Sequence, residues 1–311
     1  MIRPGLSRIV LPFAAVTLIW GTTWYVIKTQ LGVVPPEWSV AYRFMGASFI
    51  MFAACALMRR PLRFPLAAHG FFMLLGVFQF AGNFNFVYQA SQTVTSGLIA
   101  VVFALLVIPN ALFARLFLKQ PVSARFVVGA ALGIAGVALL FERELGADGW
   151  SGPIAAGLGL TLVGVMFASV ANVMQGTARA RSYDMFGMLA WSMLYGALVD
   201  IAYAWAMRGP PVIAWTPLYL GGIFYLAAIA SALAFVLYFN VIRLVGPAWA
   251  AYSGVFIPFI AMTISTLLEG YRWSPLAVAG AALAVVGLVI ALRARRVPAG
   301  AAAAGGTTGR S

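Results

Sequence analysis

The side chains of this chain that could do chemistry are few, mostly neutral, and set inside long apolar runs. Gln79 and Asn83 stand four residues apart, on one helical face with Phe86 and Ala90. Buried amides at that spacing serve either as a hydrogen-bonding stripe along a solute path or as a clamp between helices. Asn110, Asn172, Gln175 and Asn240 are more weakly placed, and for them the clamp is the stronger reading. Arg43 and Asp200 are the charged residues well inside apolar runs, and Glu269 closes another such run. A guanidinium there needs a partner. The spacing predicts a structural ion pair of Arg43 with Asp200 or Glu269, with binding of a carboxylate solute as the alternative.

Aromatic rings near the middles of apolar runs are Trp20, Trp24, Phe78, Trp191, Tyr195, Tyr225 and Tyr252. Trp and Tyr usually mark membrane interfaces, which accounts for Trp38, Trp150, Trp215, Trp249 and Trp273 beside the run boundaries. Rings at mid-depth suit a cavity for flat apolar or cationic solutes, through stacking and cation–π attraction, with core packing as the alternative. Trp20, Trp24 and Tyr252 are the best placed, because Gly21, Thr23, Ser253 and Gly254 beside them permit a kinked, cavity-lining face. Together, Trp20, Trp24, Gln79, Asn83, Trp191, Tyr225 and Tyr252 form the expected solute-binding set. Pro109 and Pro258 each remove a helical hydrogen bond and are the expected gating hinges, aided by Gly76, Gly82, Gly221, Gly222 and Gly254.

Catalytic chemistry has little to work with. His69 is the sole histidine, there is no His-Glu-x-x-His pattern, and no Ser–His pair stands at mid-depth. Cys55 is the only cysteine, so neither an intramolecular disulfide nor a cysteine metal cluster can form. No P-loop occurs. We expect no catalytic residue, no metal and no cofactor, and neither a ring of acids nor a filter-like loop points to a channel.

The elements that position these residues follow from composition. Of 311 residues, 63% are hydrophobic and 9% charged, and the mean hydropathy is +0.97, far from a soluble globular chain. The bilayer is the solvent. Cut at Pro, Gly and charge clusters, the chain divides into apolar segments near 10–30, 37–58, 69–90, 94–117, 124–141, 152–178, 184–206, 215–242, 247–268 and 274–293. Backbone in lipid must satisfy its own hydrogen bonds, so the expectation is an all-α membrane protein of ten transmembrane helices. The first segment is too long for a signal-peptide core and reads as an uncleaved helix. Residues 297–311, rich in Ala, Gly and Thr, read as a disordered tail.

The net charge of +13 does not signal nucleic acid, because the basic residues lie between the apolar segments. Arg3, Arg8, Arg59, Arg60, Arg63, Arg115, Lys119, Arg125, Arg179, Arg181, Arg243, Arg293, Arg295, Arg296 and Arg310 fall on the side of the N-terminus, against Lys28, Arg143, Arg208 and Arg272 on the other. By the positive-inside rule both termini are cytoplasmic in a bacterial inner membrane.

An internal repeat organises the helices. Gly129-Ala130-Ala131-Leu132 with Gly136 recurs as Gly280-Ala281-Ala282-Leu283 with Gly287, a shift of 151 residues that also lays Thr95–Ala100 on Gly246–Ala251. The repeats are residues 1–146 and 147–296, five helices each. Five is odd, so the second repeat enters the membrane inverted, and the loop charges swap sides accordingly. Inverted repeats are a signature of secondary transporters, which hold their solute near the midplane between the halves.

Trp20-Gly21-Thr22-Thr23-Trp24, Ala41-Tyr42-Arg43-Phe44, Pro258 with Glu269-Gly270, and the Gly-Ala-Ala-Leu helices resemble the EamA-type branch of the drug/metabolite transporter superfamily. Within it the chain is similar to YddG-type aromatic amino-acid exporters. The resemblance, over about residues 10–293, implies efflux of aromatic amino acids. The residues alone imply amphipathic small metabolites or zwitterions rather than sugar phosphates, which require several basic ligands. Leu118 stands where Glu269 would have its repeat counterpart, so no symmetric acid pair is expected. With no relay of acids or histidines across the spans, facilitated diffusion or weakly coupled exchange is expected. The expected partners are a small-molecule substrate and the lipid bilayer, with no nucleic acid, and the chain is expected to act as a monomer.

Overall fold

The computed structural model describes residues 7–119, 121–140, 152–245 and 253–294. They form α1 (Ser7–Thr29), α2 (Pro36–Leu57), α3 (Leu66–Ala90), α4 (Ser96–Leu118), α5 (Ala124–Leu140), α6 (Gly152–Gln175), α7 (Met185–Arg208), α8 (217–245), α9 (Ser253–Leu268) and α10 (Pro275–Ala294), with a single turn at Ala178–Arg181 before α7. No strand occurs among the described residues. Seven helices, α1 to α4 and α6 to α8, are long and apolar enough to cross a membrane, and α5, α9 and α10 contain shorter apolar stretches. Large apolar side chains such as Leu57, Leu66, Phe117 and Leu267 face outward, as expected where lipid is the solvent. The Tyr252 site, the acids Glu142, Glu144 and Asp148, and the tail 297–311 lie outside the described residues.

Local chemistry sets the helix ends. Asp184 caps α7 by accepting from the Phe186 and Gly187 amides at 3.0 and 3.1 Å, and Thr216 caps α8 through the Tyr219 amide at 3.3 Å. Gly209, at φ +76°, ends α7 in the left-handed region where glycine is favoured.

Three helices depart from regular α geometry in their interiors. In α3 the turn Val77–Gly82 is π-helical, and in α8 so is Tyr225–Leu233. Shifted by 151 residues, Val77–Gly82 falls on 228–233, inside the second π segment. Such wide turns collect at functional sites because they redirect side chains and carbonyls. α4 breaks between Ala104 and Val107. The break sits at the residue four before Pro109, where the proline has no N–H to give and its ring crowds the carbonyl.

α2, α3, α7 and α8 share the largest core cluster, with Phe44, Met51, Phe80, Leu189, Met193 and Leu226 at its heart. Trp38 is 2% exposed and stacks on Tyr42 with centroids 5.7 Å apart, so its ring is packed within the bundle. At the far side of the bundle α5 crosses α10 on four glycines. A Cβ on Gly129 would come within 2.6 Å of the Gly287 carbonyl oxygen, and one on Gly136 within 2.6 Å of that of Gly280. The reverse contacts are equal: a Cβ on Gly287 meets the Gly129 oxygen at 2.6 Å, and one on Gly280 meets that of Gly136 at 2.6 Å. Only glycine lets the two backbones approach so closely.

Candidate functional site

Between α1, α2, α3, α4, α6, α8, α9 and α10 lies a cavity of about 180 Å³, below the roughly 300–1,000 Å³ of sites for drug-sized ligands. It admits a small metabolite. One wall is aromatic. Trp20 meets Tyr238 at 4.9 Å and Phe235 at 5.5 Å between centroids, and Trp24 meets Phe103 at 5.0 Å.

The Trp20 indole is oriented by its Nε1–H, which donates to the Ala230 carbonyl at 3.2 Å. In the other π segment the Asn83 Nδ2 donates to the Gln79 carbonyl at 3.3 Å. Residues 79 and 230 are again 151 apart, so each wide turn offers the same carbonyl to a cavity-lining side chain.

The polar face is marked by groups with unused bonding capacity. Arg43, Gln79 and Asn83 are 1%, 5% and 3% exposed and line the cavity. Of the fifteen buried side-chain polar atoms without a hydrogen-bond partner among the described residues, five, Trp24 Nε1, Arg43 Nη1, Gln79 Oε1, Asn83 Oδ1 and Asn110 Oδ1, belong to residues that line this one space. Buried polar atoms are normally satisfied, each orphan costing about 1–3 kcal/mol. Five residues with such atoms around one cavity therefore point to a polar ligand.

A larger cleft of about 300 Å³ lies between α4, α5, α9 and α10. Its Thr263 and Thr266 hydroxyls are bonded to the Phe259 and Met262 carbonyls. The remaining wall is apolar and suits lipid, so the smaller cavity is the candidate site.

The cavity unites Trp20, Trp24, Gln79 and Asn83 from the expected set, with Pro258 and the weakly placed Asn110 and Asn172. It does not include Trp191 or Tyr225. The Trp191 Nε1 donates to the Leu62 carbonyl at 3.0 Å, and its ring stacks on Tyr195 and meets His69 edge-on at 4.8 Å, a separate cluster near the other ends of α2 and α3. The Tyr225 hydroxyl binds Thr22 Oγ1 at 2.6 Å and the Ile19 carbonyl at 3.1 Å, tying α8 to α1. Among the expected hinges, Gly76 and Gly82 abut Ser192 and Phe167 closely, whereas Gly221 and Gly254 have open space.

The expected ion pair of Arg43 is not formed. Asp200 instead accepts from Asn85 Nδ2 at 2.6 Å. Glu269 accepts from the Ser96 amide and hydroxyl, at 3.1 and 2.6 Å, with Lys28 at 3.8 Å. Glu269 caps α4 while closing α9, a geometry that favours an anion at a helix N-terminus. The partner depends on helix rotation, which sequence spacing leaves open.

Sequence reasoning missed Phe84, Phe103, Phe235, Tyr238 and Phe239. The last three stand at i, i+3 and i+4 on α8, a one-face signal that was available.

Comparison with known proteins identifies the family. The EamA-like transporter family matches residues 7–142 and 155–293. The chain belongs to that family. The protein PagO of Salmonella typhimurium is 24% identical to this EamA-like transporter over 289 residues, 92% of this chain and 93% of that one. The uncharacterized inner membrane transporter YedA of Escherichia coli is 30% identical over 264 residues, 82% and 81% of the two chains. A crystal structure of a protein 21% identical shares the fold, with a TM-score of 0.67 over 92% of this chain and 96% of the other. The chain is thus a helical membrane protein of a transport family.

Proposed function

We propose that this EamA-like protein is an inner-membrane secondary transporter that exports aromatic and other amphipathic amino acids, as YddG-type exporters do, by alternating access around the central cavity. The observation that carries this reading is the cavity itself: an aromatic wall faces five buried polar groups that have no partner in the protein. A ring-bearing zwitterion satisfies both faces.

The architecture behind it would be ten spans in two inverted five-helix repeats, residues 1–146 and 147–296, with both termini cytoplasmic. Three observations support this. The two stretches matched by the family are of similar length. The π segments of α3 and α8 coincide at the repeat offset. The glycine contacts between α5 and α10 are reciprocal, Gly129 with Gly287 and Gly136 with Gly280, as contacts across a twofold axis must be. Pro109, which accompanies the break in α4, and Pro258 would be the hinges of the alternation.

Purified protein in liposomes, offered aromatic, branched and charged amino acids, tests the function. Saturable uptake of tyrosine or phenylalanine in preference to aspartate or lysine is the expected result, and it should persist when the pH gradient is collapsed. Absence of aromatic uptake refutes the substrate class, and complete loss on collapsing the gradient refutes weak coupling.

A further inference from the structure

Arg43 is buried at 1% exposure in the centre of the bundle, with no counter-ion among the described residues. A guanidinium stays charged under any physiological condition, and inside a membrane protein such a charge ordinarily pairs with an acid. The described acids are bonded to other groups, and only Asp200 keeps a carboxylate oxygen, Oδ2, that is buried without a partner. Glu37 is held by Arg208 at 3.1 Å and by Gln89 at 2.6 Å. Asp184 caps α7 and faces Arg60 at 3.5 Å, Asp200 is bound by Asn85, and Glu269 by Ser96 and Lys28. None of the three ion pairs among the described residues includes Arg43.

What holds Arg43 is neutral. Its Nε–H donates to Ser231 Oγ, in the π segment of α8, at 3.0 Å. The guanidinium carbon sits 4.2 Å over the Phe84 ring and 5.0 Å from the centroid of Phe44. The hydroxyl of buried Tyr88 also lies beside the guanidinium. These contacts orient its plane without neutralising it, while Nη1 has no hydrogen-bond partner. A fixed, unneutralised fork of N–H donors at a cavity wall is a carboxylate receptor.

We propose that Arg43 anchors the carboxylate of the transported solute, with the amide oxygens of Gln79 and Asn83 taking its ammonium group and the Trp20 wall its side chain. This rests on the amino-acid reading above and goes beyond it by dividing the solute between named groups. The carboxylate becomes the obligatory feature. Because Arg43 belongs to α2 and its Ser231 support to α8, the bound solute is held jointly by the two parts of the chain.

The test is competition against labelled tyrosine uptake in liposomes by unlabelled phenylpropionate, which keeps the carboxylate, and phenethylamine, which keeps the ammonium. Wild-type protein should be inhibited by phenylpropionate at concentrations at least about 30-fold lower than by phenethylamine, the low end for losing the partner of a buried charge. In Arg43→Gln that preference should collapse toward unity and the tyrosine KM should rise by a similar factor, with Arg43→Lys between. Phe84→Leu, which removes the ring beneath the guanidinium, should narrow the preference and gives an independent readout should Arg43→Gln not fold.

Tyrosine uptake by wild-type protein with equal inhibition by both compounds overturns the carboxylate anchor and leaves the amino-acid reading standing. Absence of tyrosine uptake overturns that reading instead. Restoration of normal uptake in an Arg43→Gln, Asp200→Asn double variant would show that Arg43 balances Asp200 rather than the solute, and would also overturn the proposal.

Discussion

The crossing of α5 and α10 offers the sharpest quantitative test of the structure. In Gly136→Ala the new Cβ would stand 2.6 Å from the Gly280 carbonyl oxygen, where ordinary contact begins at 3.4 Å. The helices must separate by more than about 0.8 Å, because the Cβ would lie closer still to the Ala284 amide nitrogen and both opposing atoms are backbone that cannot rotate away. Overpacking of this kind costs about 1–3 kcal/mol. At about 2–4 °C per kcal/mol, the apparent melting temperature in detergent should fall by several degrees. Gly280→Ala should fall similarly, since a Cβ there meets the Gly136 oxygen at the same 2.6 Å. The double variant should fall by less than the sum, because a seam once opened for one methyl accommodates the other. Gly159→Ala on α6 is the control: nothing lies within 4 Å of its Cβ, and alanine is the better helix former. Melting of Gly136→Ala together with Gly159→Ala would show that the backbone contact is absent and remove one support of the twofold relation between the repeats.

Three further outcomes can be measured. Gln79→Leu removes an unpartnered buried acceptor, so transport of aromatic amino acids should weaken while thermal stability holds or rises by about 1 kcal/mol; Asn83→Ala, which also gives up the bond to the Gln79 carbonyl, should weaken transport at a stability cost of no more than about 1 kcal/mol, and larger losses would mean the amides are structural clamps. Glu37→Gln should destabilise by about 1–3 kcal/mol, since Glu37 is 2% exposed and takes three bonds from Arg208, whose own side chain is half exposed and stays solvated when the pair is broken. Combined with Arg208→Gln the loss should shrink, and strict additivity in melting experiments would exclude coupling. Trp20→Ala should lower the rate or alter the selectivity of uptake, whereas Trp191→Ala should leave selectivity unchanged because its ring lies with His69 and Tyr195, away from the cavity; a selectivity change in Trp191→Ala would place the site elsewhere.

Much of the site was visible as spacing. Gln79 and Asn83 repeat at i, i+4 and do share a cavity face, because a helix converts that interval into one azimuth whatever surrounds it. The same rule does not say which azimuth faces which helix. Trp191 and Tyr225 sit at plausible depths yet turn toward other partners, the Leu62 carbonyl and the Thr22 hydroxyl. Nor does any residue type announce a π-helical turn, so the widened segments at Val77–Gly82 and Tyr225–Leu233 emerged only with the structure.

By itself the sequence determined the solvent, the all-helical character and the family, because these depend on apolar run length and on local motifs that each segment carries alone. Tertiary structure alone decided that Arg43 rests on Phe84 and Ser231 rather than on Asp200 or Glu269. It also decided that five unsatisfied polar groups meet in one small cavity. Those facts depend on the relative rotation and depth of separate helices, quantities set by packing across the whole bundle and encoded in no single stretch of chain.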